Sequence, residues 1–309
     1  MKTLNKRILQ TLGLAALTCL VPAFCAAGDA SEILGLEPWL TLSGNFDAGY
    51  RKTQFFEKDH NTAVGQWDTR LELWLPPQEA FSYGPYLRFA GIASSRDPAW
   101  ENALLAAPGV GFQVYPFSLP VFTNADSTIG KLFGPVRVFG EYNRLDYWGD
   151  ENSWRPDQQI RAGLEYWRAR HVNETSEPFW NEFWTGLFWQ SANEFDKHYD
   201  TLVFANSLRI GVRKPKSGFL STISPYAVIE SSLTGNQTYY WENRLLVGGG
   251  LRIAPSREAL PDGMRWMNRL VFFAEYVYAA AYYHTKASSS VPDYDVRAGI
   301  SMSIGRWYY

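Results

Sequence analysis

Residues 64–75 read Val-Gly-Gln-Trp-Asp-Thr-Arg-Leu-Glu-Leu-Trp-Leu, and their side chains sort into two faces. Successive side chains of an extended strand alternate, so Trp67, Thr69, Leu71, Leu73 and Leu75 share one side. Gln66, Asp68, Arg70, Glu72 and Trp74 share the other. The pattern recurs along the chain. Leu202, Phe204, Leu208, Ile210 and Val212 oppose Ser207, Arg209, Gly211 and Arg213, while Trp266, Leu270, Phe272, Ala274 and Tyr276 oppose Arg269 and Glu275. A strand with one apolar and one charged face suits a barrel with lipid outside and water within. It also suits a soluble sandwich whose polar face looks outward.

Composition narrows the choice. The 309 residues are 46% hydrophobic, 16% aromatic and only 19% charged, against about a quarter charged in an ordinary soluble domain. The aromatic content excludes a disordered chain. After residue 28 no run reaches the roughly 18 apolar residues of a membrane helix. A formal charge of −2 argues against a nucleic-acid partner.

The N-terminus reads as a secretory leader. Lys2, Lys6 and Arg7 precede an apolar run from Ile8 to Phe24, which ends in Cys25, Ala26, Ala27 and Gly28. This predicts a signal peptide over 1–27 and a single domain over 28–309. Both cysteines, Cys19 and Cys25, fall in the leader, so the exported chain is expected to lack cysteine.

Three features favour the membrane barrel. Tryptophans sit at segment ends (Trp39, Trp74, Trp148, Trp154, Trp180, Trp241, Trp266 and Trp307), as interfacial girdles require. Arg244, Gly248, Gly250 and Arg252 mix charge with glycine on one face, as a crowded lumen would. The chain closes on Gly305-Arg306-Trp307-Tyr308-Tyr309, which resembles the terminal strand of bacterial outer-membrane proteins. The apolar face of that strand (Val296, Ala298, Ile300, Met302 and Ile304) is out of phase with Trp307 and Tyr309, so a bulge near Gly305 or anchoring by Tyr308 is expected.

The expected fold is therefore all-β: a closed antiparallel transmembrane barrel in the outer membrane, surrounded by lipid. Twelve strands are predicted near 38–51, 64–75, 83–94, 109–116, 134–147, 158–170, 179–191, 201–213, 222–233, 240–254, 266–283 and 293–309. An even number returns both chain ends to the periplasmic side. The connections at 52–63, 95–108, 148–157, 192–200, 234–239 and 284–292 then face outward. The long inner connection, 117–133, is expected to form a periplasmic turn, a small helix or an inward fold.

Face assignment places Arg70, Arg88, Arg137, Glu141, Arg209, Glu230, Arg244, Arg252, Arg269, Glu275 and Arg297 in the lumen as candidate solute contacts. The competing reading makes them ion pairs between strands, because charges in a narrow barrel must be paired. No cofactor, metal ligand set or catalytic residue is expected. An enzymatic alternative keeps Asp196-Lys197-His198 and Asp293-Tyr294-Asp295 in view, since omptin-type proteases use Asp-His and Asp pairs. None of the four histidines carries the His-x-Ser pattern of the outer-membrane phospholipases.

Several stretches resemble the C-terminal barrels of outer-membrane proteins of exopolysaccharide secretion and phage adsorption. They are Val110 to Phe117, Arg161 to Trp167, Ser224 to Val228, and Glu242-Asn243-Arg244 with Gly248 to Arg252. The resemblance implies a conduit working with a separate periplasmic export partner, because the helical repeats that precede such barrels are not expected here. The function expected is a porin-like conduit for a polysaccharide or a small polar solute. A barrel-embedded hydrolase and a closed structural or receptor barrel are the alternatives.

Overall fold

The computed structural model describes residues 40–55, 58–75, 82–94, 103–118, 128–147, 157–170, 179–194, 197–212, 214–215, 222–235, 243–255, 260–261, 270–282 and 294–304. The first six strands are β1 (Leu40–Phe55), β2 (Lys58–Leu73), β3 (Ser82–Ser94), β4 (Ala103–Tyr115), β5 (Val136–Tyr147) and β6 (Asp157–Arg170). The other six are β7 (Phe179–Glu194), β8 (Lys197–Val212), β9 (Thr222–Thr234), β10 (Arg244–Ala254), β11 (Leu270–Tyr282) and β12 (Tyr294–Ile304). Lys214 and Pro215 prolong the edge of β8 against the start of β9. Each strand pairs antiparallel with its neighbours in sequence. The last then pairs with the first, from Gly44↔Ile304 to Gln54↔Tyr294. The sheet is closed, and no spanning strand is left with an unpaired edge.

Alternation fixes which side faces where. On β8, Leu202, Phe204, Ile210 and Val212 are exposed, whereas Thr201, Val203 and Gly211 are buried. On β11, Phe272, Ala274, Tyr276 and Tyr278 are exposed and Glu275 and Val277 are buried. Ile160, Leu187, Ile229, Leu251 and Ile300 continue the apolar exterior. Meanwhile Asn143, Ser224 and Asp295 are fully enclosed. A soluble barrel would show the reverse. Only a hydrocarbon solvent suits an apolar exterior around buried charge. Polar contacts interrupt the outward face where Asn206 donates to the Ser231 hydroxyl and Thr185 to the Ala205 carbonyl.

Strands β1, β2, β4, β7 and β8 extend beyond the sequence-based limits. Ladders run up to Phe55↔Lys58 and Glu194↔Lys197, so most of the loops expected at 52–63 and 192–200 is strand. Apolar alternation stops at the edge of the bilayer, but backbone pairing does not. In the connection at 117–133, a 3-10 turn covers Pro116–Ser118 and a short helix, α1, covers Thr128–Phe133. The Phe117 and Phe133 rings meet at 5.6 Å between centroids. The helix option was the correct one for the described part of this segment. Residues 305–309, where the terminal bulge was expected, lie outside the described residues.

Two of the tryptophans expected in the interfacial girdles point inward instead. Trp180 is completely buried and donates to the Ser224 hydroxyl. Its ring lies over Gly211 on β8, where a Cβ atom would come within 2.2 Å of the indole. Trp74 is buried and donates to the Thr41 hydroxyl at 2.8 Å. Both share a face with charged lumen residues, a parity that already opposes membrane contact. The lumen also contains apolar packing: Trp180, Tyr226, Val228, Leu246, Ala254 and Val277 form one cluster, and Phe139, Phe188 and Val203 another. The interior is thus part charged lumen and part packed core.

Candidate functional site

Two charge clusters line opposite halves of the lumen. The first spans β2 to β6 and centres on Glu141, whose side chain is 1% exposed. Arg88 Nη1 and Arg161 Nη1 donate to its Oε1 at 2.8 and 2.9 Å, joined by Asn143 Nδ2 at 3.0 Å. Tyr86 OH donates to Oε2 at 2.7 Å. Arg88 also forks onto Asp68 at 2.9 and 2.8 Å, a bidentate geometry that fixes both side chains. Arg137 donates to Glu165 and, at 3.0 Å, to Gln113. Arg70 sits 3.8 Å from Glu165, although β3, β4 and β5 stand between their strands.

The second cluster spans β8 to β12 and β1. Arg209 and Arg297 alternate with Glu230 and Glu275 in a ring of contacts between 2.9 and 3.4 Å. Tyr226 OH donates to Glu275 at 3.0 Å. Asp295 accepts from Arg51 Nε at 2.9 Å and from Arg297 Nε at 2.6 Å. Apart from that ring, Arg252 pairs with Glu182 on β7 and lies over the Trp180 and Tyr226 rings, 4.8 and 5.2 Å from their centroids. The crowding expected beside Gly250 is seen: a Cβ there would come within 2.8 Å of the Tyr226 ring.

Ten of the eleven candidate residues fall on the inward side. Arg70, Arg88, Arg137 and Glu141 belong to the first cluster, and Arg209, Glu230, Glu275 and Arg297 to the second. Arg252 and Arg244 lie towards opposite ends of β10, Arg244 in register with Ser232 and Tyr282. Arg269 lies outside the described residues. Sequence reasoning missed Arg161 and Arg51. Arg161 is four residues before Glu165, and four is an even step, so parity could have found it. Arg51 lay at the edge of the first expected strand, where no face was assigned.

Of the residues in the enzymatic alternative, the described His198 and Asp295 each hold their own separate partners. Asp196 and Asp293 lie outside the described residues. The exposed His198 ring contacts Asn193 Oδ1 at 2.8 Å and Asp200 Oδ2 at 3.3 Å. Asp295 is enclosed and held by two guanidiniums.

Towards the end where β1 begins and β2, β4 and β6 finish lies a cavity of about 320 Å³. It is lined by Ser43, Gly44 and Asn45 of β1, Asp68, Arg70 and Glu72 of β2, and Tyr115, Pro135, Arg137, Glu165, Trp167 and Trp184. Glu72 is buried there and accepts from the Thr41 and Ser43 hydroxyls at 3.1 and 3.3 Å.

A closed antiparallel sheet, apolar outside and carrying paired charge inside, defines a transmembrane β-barrel of the bacterial outer membrane. No protein-family model matches the chain, and no curated protein sequence does. Among solved structures it is similar to the β domain of the Bordetella autotransporter BrkA, with 11% identity, 85% of this chain and 99% of that chain covered, and a TM-score of 0.34. It is similar also to the NanC porin, at 11% identity, 84% and 98% coverage and a TM-score of 0.33. The translocator domain of the Neisseria meningitidis autotransporter NalP follows at 10% identity, 96% and 99% coverage and a TM-score of 0.29. These likenesses are distant, and no residue role follows from them.

Proposed function

We propose that the barrel is a narrow conduit for small polar or charged solutes across the outer membrane. The observation that carries this reading is the mixed-charge lumen with its 320 Å³ cavity walled by Arg70, Glu72, Arg137 and Glu165. A barrel with a purely structural role gains little from buried ion pairs, because well-packed apolar side chains of similar volume stabilise as well or better. Small solutes fit better than a polymer. Arg70 approaches Glu165, and Arg297 binds Glu230, across intervening strands, so a passing polysaccharide would have to part both contacts. Two of the inward rings that sugars would stack on are covered: Arg137 lies over Tyr86 at 5.5 Å, and Arg252 over Trp180 at 4.8 Å.

The test is conductance of the refolded protein in planar bilayers. Discrete current steps in potassium chloride are expected, with selectivity shifted towards cations by Arg70→Glu. Liposome swelling should admit small solutes and exclude oligosaccharides. An electrically silent barrel that also blocks small solutes would sink the conduit.

A further inference from the structure

The charges around the cavity are not equally satisfied. Asp68 is held by the fork of Arg88 at 2.8 and 2.9 Å, and Glu165 is held by Arg137. Among the described residues Arg70 makes no side-chain hydrogen bond: it has the long 3.8 Å approach to Glu165, a position 5.8 Å above the Tyr86 ring and the nearby charge of Asp68, which Arg88 already holds. Its Nε is buried with no hydrogen-bond partner among the described residues. Glu72, two residues on, is 6% exposed and accepts only the Thr41 and Ser43 hydroxyls among the described residues. A buried carboxylate ordinarily takes a cationic partner, and none of the described bases pairs with it.

One under-used guanidinium and one carboxylate without a cation therefore share a single cavity. They stand on one strand face about 6.7 Å apart along the backbone. A single-sign solute satisfies one of them and is repelled by the other. A solute bearing adjacent opposite charges satisfies both. The remaining wall, from Tyr115, Trp167 and Trp184, offers aromatic surface to an apolar substituent. The volume of about 320 Å³ lies at the small end of ligand sites, roughly 300–1,000 Å³.

From this we infer that the cavity is a binding site for a zwitterionic solute of amino-acid size, its carboxylate on Arg70 and its ammonium on Glu72. The inference deepens the conduit reading and rests on it for the solute's route to the site.

Three probes sharing the isobutyl group on one α-carbon test it: leucine, 4-methylpentanoate without the ammonium, and isopentylamine without the carboxylate. Binding to the refolded barrel is measured by titration calorimetry. Leucine should bind about tenfold more tightly than either analogue, the equivalent of ~1.4 kcal/mol per lost charge contact. Glu72→Gln should reduce leucine to the level of 4-methylpentanoate, and Arg70→Gln should reduce it to the level of isopentylamine. Should either variant fail to fold, the three-probe comparison on the unaltered barrel decides alone. Leucine binding no tighter than both analogues would overturn the site, as would unchanged discrimination in folded Glu72→Gln. Potassium chloride conductance of the same preparation separates the two readings. A conducting barrel without discrimination overturns the site and spares the conduit. A silent barrel that still discriminates supports the site and removes the conduit.

Discussion

Arg297 on β12 grips Glu230 on β9 with two hydrogen bonds, each 3.1 Å long, although β10 and β11 run between them. Such a reach needs a low floor. The inward positions of β10 run from Leu246, in register with Glu230, through Gly248 to Gly250, in register with Glu275 of β11, which joins the same contact. The fork geometry adds direction to charge, so the floor and the ion pairs specify one another.

The glycines of that floor are therefore expected to resist even a methyl group. A Cβ at Gly248 would fall 2.0 Å from the Tyr276 carbonyl oxygen, whereas one at Gly140 meets nothing within 4 Å. Gly248→Ala should cost about 1–3 kcal/mol, the usual penalty for overpacking. Gly140→Ala should change stability by less than about 0.5 kcal/mol, or improve it. Urea titrations of folding into lipid vesicles measure both. Equal costs would show that crowding is not what keeps Gly248.

The Arg252–Glu182 contact makes a second prediction. Both side chains are nearly enclosed, at 9% and 12% exposure. Removing Arg252 takes its hydrogen-bonded cation from the enclosed Glu182 carboxylate, so Arg252→Leu should destabilise by about 3–5 kcal/mol. Removing both together, Arg252→Leu with Glu182→Leu, should recover most of that loss. A double variant as weak as the single one would mean that Arg252 stabilises through the Trp180 and Tyr226 rings rather than through Glu182.

The barrel was legible because its two solvents impose a period of two, which β8 shows at nearly every step from Leu202 to Val212. Parity alone assigned Arg209 and Glu275 to the lumen. It could not say that they would touch, since that contact joins strands 66 residues apart in sequence. The reach of Arg70 to Glu165 depends likewise on barrel diameter and stagger, which no local pattern carries. Interior tryptophans were misread for a related reason. Trp74 and Trp180 sit near strand ends, as girdle residues do, and only the parity they share with Glu72 and Glu182 reveals the inward direction. The cavity escaped notice because Tyr115, Trp167 and Trp184 reach it from three separate strands.

The lipid face can be tested at one pair of adjacent residues. Leu208 is opposite Phe183 and Ile229 on the outward side, while Arg209 is opposite Glu182 and Val228 on the inward side. Leu208→Arg should cost about 2–4 kcal/mol if this height is near the midplane. Arg209→Lys should insert normally, because it retains a cation beside Glu230 and Glu275. The face assignment is reversed if Leu208→Arg folds like the parent while Arg209→Lys does not.

Topology can be read chemically because the chain beyond Cys25 has no cysteine. With twelve strands, β1 begins and β12 ends at the same rim, and in bacterial outer-membrane barrels that rim is periplasmic. Thr128, the first residue of α1, is exposed near this rim, and His198, beside the β7–β8 hairpin, is exposed at the other. His198→Cys should react with a membrane-impermeant maleimide on intact cells. Thr128→Cys should react only after the outer membrane is broken. The unaltered protein, purified and denatured, should take up no maleimide if residues 1–27 are removed on export. Labelling of Thr128→Cys but not His198→Cys on intact cells would invert the barrel, and labelling of the denatured parent would show that the leader stays attached.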